Sequence, residues 1–60
     1  MTVTTKELSY LKEQLGGEQL MVKKFSKYAE MCEDTELKAK LNEVASKHQE
    51  HYNKLLDQLR

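Results

Sequence analysis

An all-α fold, an antiparallel two-helix hairpin, follows from three features of this sequence. Proline is absent and glycine occurs only as Gly16-Gly17, while Lys, Glu, Leu, Gln and Ala, all good helix formers, dominate. Two long segments carry apolar residues at alternating steps of three and four, the seam of a bundle helix. The numbers of the apolar residues that would face each other in a hairpin sum to nearly one value, about 66 or 67. Together these predict a single helical hairpin domain over residues 1–60, with helices at about 4–32 and 34–59.

The first helix has a defined start. Thr4-Thr5-Lys6-Glu7 fits a capping box, with a hydroxyl at the N-cap and a glutamate three residues on. Its seam then runs Leu8, Leu11, Leu15, Glu18, Val22, Phe25, Ala29, Cys32. The register passes through Gly16-Gly17 without a slip. This predicts a continuous helix with the pair as the place where a kink would fall, the alternative being a break into two shorter helices.

Glu33-Asp34-Thr35-Glu36 reads as the turn. Asp34 is a good N-cap, and Glu36 suits the positive end of the next helix dipole. The second helix carries Leu37, Leu41, Val44, His48, His51 and Leu55 on its seam. Its outer face holds Glu36–Lys40, Glu43–Lys47 and Glu50–Lys54, each with the acid four residues ahead of the lysine, the favourable order for a solvated face. Folding the two seams together sets Leu8 against Leu59, Leu11 against Leu55 or Leu56, and Leu15 against Tyr52. It also sets Val22 against Val44 or Ala45, Phe25 against Leu41, and Ala29 against Leu37.

A second stripe accompanies each seam: Tyr10, Gln14, Gly17, Met21, Lys24, Tyr28 and Met31 on the first helix, and Ala45, Gln49, Tyr52, Leu56 and Leu59 on the second. A chain of 60 residues buries only about 60% of the surface it exposes when unfolded, and its leucines, valines and phenylalanine number 13. Cys32 is the one cysteine, so no disulfide can form within the chain. The wide apolar surface and the small core predict a homodimer, two hairpins making a four-helix bundle with Gly17 allowing close backbone approach. Exposed Met, Tyr and Gln on a monomer are the alternative.

Ten basic and ten acidic residues balance, and no basic block marks a nucleic-acid surface. No apolar run approaches the ~20 residues of a membrane span, and the stretch from Met1 lacks the apolar core of a signal peptide. With one free cysteine, these predict a reducing, intracellular setting.

The hydrophobic register fails at one level. Glu18 takes a seam position on the first helix, and His48 and His51 take seam positions on the second, three residues apart and projecting from one helix face. The hairpin register brings all three together near mid-length. A carboxylate with two imidazoles suits zinc, iron or manganese, and a symmetric dimer would double the set. Di-metal carboxylate bundles pair a glutamate with a Glu-x-x-His motif; here the motif reads His48-Gln49-Glu50-His51, and fewer carboxylates favour zinc. The other readings are a hydrogen-bonded polar layer that fixes the register without a cofactor, and a metal-free catalytic His–Glu pair. No nucleophile accompanies that pair, since Cys32 lies about four turns away, so an enzyme is not the expectation.

The segment from Glu18 to Leu59 resembles the spore coat protein F-like family. The matching residues are Glu18 followed by Val22-Lys23-Lys24-Phe25 and Tyr28, the turn with Asp34 and Leu37, and His48-Gln49-Glu50-His51-Tyr52 before Leu55-Leu56. The resemblance implies a ferritin-like helical bundle with a structural role in or near the spore coat, other spore coat proteins as partners, and no established enzyme activity. The chain departs from ferritin-like domains in carrying one hairpin where four helices are needed. His48 departs from the di-iron Glu-x-x-His pattern, which puts oxidase chemistry in doubt.

Overall fold

The computed structural model describes residues 4–59, which form two helices, α1 (Thr5–Met31) and α2 (Thr35–Asp57), joined by a three-residue turn. Thr4 caps α1 as its sequence requires. Its hydroxyl accepts from the Glu7 amide at 3.1 Å, and its own amide donates to the Glu7 carboxylate at 3.2 Å. This reciprocal pair satisfies two backbone N–H groups that a bare helix end leaves open.

α1 runs unbroken through Gly16 and Gly17. The alternative of two shorter helices is therefore overturned. Each glycine weakens a helix by roughly 1 kcal/mol relative to alanine. The flanking turns and the uninterrupted seam hold it together, because breaking the helix would also rotate half of the seam away from α2. Neither glycine is demanded by packing within the hairpin, since a Cβ at either position would have no heavy atom within 4 Å.

The turn is set by Asp34. Its carboxylate accepts from the Leu37 amide at 3.0 Å and starts α2, while the Cys32 amide closes α1 on the Ala29 carbonyl. The Cys32 thiol lies 3.5 Å from the Asp34 carbonyl. Three residues leave no slack, so the two helices must run antiparallel and adjacent.

The Cα trace measures 46 × 14 × 10 Å. Two helices side by side make a single layer. All eight seam positions of α1 and its C-cap, from Leu8 to Cys32, are buried or half-buried. On α2, Leu41, Val44, His48 and Leu55 are half-buried, and so is Tyr52 beside them. Leu37, at the turn, and His51 are exposed, contrary to their placing on the seam. Leu37 stands in the first turn of α2, at the end of the hairpin, with no further helix turn beyond it to close over it.

Only Leu11, Ala29 and Ala45 of the described residues are buried. The second stripes fare differently from one another. Ala45 is buried and Tyr52 and Leu56 are half-covered, as is Met21 of α1, whereas Tyr10, Tyr28 and Met31 of α1 and Leu59 after α2 are exposed, Met31 to 71%. Two grooves run between the helices, one lined by Gln14, Glu18, His51, Lys54 and Leu55, the other by Gln19, Val22, Lys23, Gln49 and Tyr52. The two linings share no residue although they span the same level of the same helix pair. They therefore open on opposite faces, and they carry the stripe of α1 to one face and that of α2 to the other.

Of the three helix-surface ion pairs expected on α2, Glu43–Lys47 closes to 3.7 Å on an exposed face, where such a pair is worth a few tenths of a kcal/mol. The polar cap is the stronger local element. Asp34→Ala is expected to lower stability by about 1 kcal/mol, read as a lower midpoint of thermal unfolding by circular dichroism.

Candidate functional site: a carboxylate between two imidazoles

The sequence brings Glu18, His48 and His51 to one level, and the structure joins them. Glu18 projects from α1 four residues before Val22 and seven before Phe25, on the face that meets α2. His48 and His51 are three residues apart on α2, so both rings reach the same carboxylate. His48 Nδ1 lies 3.0 Å from Glu18 Oε1, and His51 Nδ1 lies 3.0 Å from Glu18 Oε2. Each oxygen thus serves one ring.

An ionised carboxylate only accepts hydrogen bonds. Both Nδ1 atoms must then carry the proton, and both Nε2 atoms are left for other partners. The rings are further oriented by aromatic contacts. Phe25 stacks on His48 with centroids 5.9 Å apart and planes 6° from parallel, and the two imidazoles meet edge to face at 5.9 Å. Tyr28 in turn stands edge-on to Phe25 at 6.0 Å.

Exposure rises from the carboxylate outward. The Glu18 side chain is 17% exposed, His48 25% and His51 58%. His51 is a rim residue, because its Cβ leaves α2 to one side of the contact line and the single-layer hairpin has nothing above it. The groove of about 320 Å³ that Glu18 and His51 share with Gln14, Lys54 and Leu55 opens there to solvent.

Electrostatics follow from this arrangement. The hydrogen bond from His48 holds the Glu18 carboxyl below its ordinary value of 4.5. Partial burial pushes the other way, and the charges of His48 and His51 with the His51 hydrogen bond add to the lowering. The arrangement can therefore pin the helix register by charge-assisted hydrogen bonds, and it presents one ligand atom from each of three residues, all within 4.8 Å of one another. Sequence periodicity did not reveal the division of the two oxygens between two rings, nor the Phe25 stack; Phe25 at seven residues from Glu18, two turns along the same face, was the available signal.

Cys32 is half-buried beside the turn and joins no side-chain cluster. Lys23 lines the opposite groove. No helix among the described residues is long and apolar enough to cross a membrane.

Glu18 stays ionised in the fold at pH values where the unfolded chain already binds a proton. Its contribution to stability is full above about pH 4.5 and is lost as the pH falls through the lowered folded value. Chemical denaturation across this range should show stability declining with acidification, and Glu18→Gln should flatten that part of the profile. Because His48 supplies the largest lowering, His48→Ala should return the Glu18 pKa further toward the ordinary range than His51→Ala, as read by carboxyl NMR titration.

No family model matches this chain. No solved structure matches it either. It is similar to the uncharacterized protein YuzM of Bacillus subtilis (strain 168), with 35% identity over 57 residues that make up 95% of this chain and 70% of that protein. A match over 57 of 60 residues spans both helices, the turn and the level of Glu18, His48 and His51, and the chain belongs to the family of YuzM.

Proposed function

We propose that this chain is a structural or assembly protein that acts as a homodimer, two hairpins completing a ferritin-like four-helix bundle. The observation that carries the reading is the incomplete core: three buried residues among those described, against exposed Tyr10, Tyr28 and Met31 along one side of α1. A chain this short with so thin a core stabilises itself by only a few kcal/mol at best, and a second apolar layer is the common remedy.

Gly17 lies on that side and has open space around it. A helix keeps such a glycine at a stability cost of about 1 kcal/mol. Close approach of a second helix at this point supplies a reason that packing within the hairpin does not. Gly16 points elsewhere on α1 and serves as the control. The face of α1 is the surface favoured for the contact, since the stripe of α2 is already partly covered within one chain. The resemblance of Glu18–Leu59 to the spore coat protein F-like family, read from the sequence, is the ground for proposing a setting in or near the spore coat, among other coat proteins.

Light scattering after size exclusion should give twice the 7.0 kDa of one chain. A monodisperse single chain at micromolar concentration removes the proposal. In the dimer, Gly17→Ala should weaken association, whereas Gly16→Ala should stabilise the helix by roughly 0.5–1 kcal/mol. Equal stabilisation by both substitutions, without change in mass, would also count against it.

A further inference from the structure

We propose that Glu18, His48 and His51 form a site for a single divalent transition-metal ion, with zinc the best fit. The three ligands belong to one chain, so the site does not depend on the assembly proposed above.

The donor set selects the class of ion. Two imidazoles and one carboxylate suit zinc and its neighbours, whereas calcium and magnesium take oxygen ligands almost alone. One carboxylate offsets only part of the charge of one divalent ion, which argues for one metal and not two. A tetrahedral zinc with bonds of about 2.0–2.2 Å sets its ligand atoms roughly 3.3 Å apart. Each Nδ1 already stands 3.0 Å from a carboxylate oxygen, and all three ligand atoms fall within 4.8 Å. The change required is to bring both Nδ1 atoms to one oxygen, a matter of side-chain rotation at the partly exposed rim.

On binding, the metal takes the place of the two Nδ1 protons. Each neutral ring then carries its proton on Nε2, exchanged through solvent, so no net proton is released from neutral imidazoles. Two features of the site favour this state. Phe25 holds the His48 ring in plane from its apolar side. The groove beside Glu18 and His51 gives solvent access and room for water as the fourth ligand, as in zinc sites with three protein ligands. Lys54 lines the same groove and opposes a cation there, but its long stem lets the ammonium swing out to water.

The ion would join α1 to α2 at mid-length, in a hairpin with three buried residues among those described. Because the unfolded chain does not preform the ligand set, metal binding appears as folding stability.

The test uses the full chain stripped of metal, titrated calorimetrically with zinc chloride and melted in parallel by circular dichroism. The expected result is one zinc per chain and a rise in the unfolding midpoint of roughly 10–20 °C at a hundredfold excess over the dissociation constant. Magnesium chloride should give no shift. His51→Ala and Glu18→Gln should each weaken zinc binding on the order of 100-fold or more. His51 is exposed, so its variant is expected to fold, and the metal-free circular dichroism spectrum verifies this. An unchanged midpoint with zinc overturns the proposal, as does undiminished binding in the folded His51→Ala chain. Half an ion per chain with a zinc-dependent doubling of mass assigns the metal to a bridge between copies and likewise overturns it. A dimer that forms without zinc and ignores the site variants leaves the two proposals separately decided.

Discussion

The Glu18 carboxylate, held between two imidazoles of the opposite helix, is the constraint on which the hairpin's register rests. Both hydrogen bonds that join α1 to α2 among the described residues end on it. The remainder of the contact is a seam of leucine, valine, alanine and phenylalanine, and such a surface tolerates sliding by a turn with modest loss. A directional polar contact does not. Moving α2 by one turn past Glu18 would leave a partly buried carboxylate without its donors, a penalty of the size of a broken charge-assisted hydrogen bond. The leucines thus supply cohesion, while the polar layer chooses among the pairings they allow.

This division of labour explains why so small a core can specify one arrangement. The capping box at Thr4 and Glu7 and the Asp34 cap fix where each helix begins. The three-residue turn fixes their direction. Glu18, His48 and His51 then fix the phase. Packing adjusts within those limits, and the glycine pair interrupts none of it. What the hairpin does not supply by itself is cover for the exposed side of α1, and that shortfall is the physical basis of the functional reading.

Much of this was legible from residue spacing. The steps of three and four from Leu8 to Cys32 mark eight positions on α1 and its C-cap that the structure shows to be buried or half-buried, and Met21 beside that seam is half-buried as well. The near-constant sum of facing numbers set Glu18 beside His48, and the two meet at 3.0 Å. The rim was harder to read. Periodicity identifies a face to within about a third of a turn, and a helix of 3.6 residues per turn drifts away from a strict seven-residue repeat. In a single-layer hairpin that small rotation separates a half-buried His48 from an exposed His51. The same ambiguity hid the fact that the two second stripes lie on opposite faces, because one-dimensional spacing does not carry the sense of rotation of two antiparallel helices. Leu37 was placed on the seam by spacing alone, and end effects beside the turn left it exposed.

The position of the polar layer along the hairpin has a mechanical consequence. From Glu18 to the turn is about 20 Å of helix, and from Glu18 to the free end is about as much again. The molecule is therefore a pair of tongs, hinged at Asp34 and strapped halfway along the limbs. Between hinge and strap, neither limb can leave without breaking both restraints. Beyond the strap, the limb ends that carry Leu8, Leu11 and Leu15 on α1 and Leu55 and Leu56 on α2 have no covalent closure. Amide hydrogens should exchange in that order, slowest between hinge and strap and fastest toward the open tips, so that splaying begins at the ends and stops at the carboxylate.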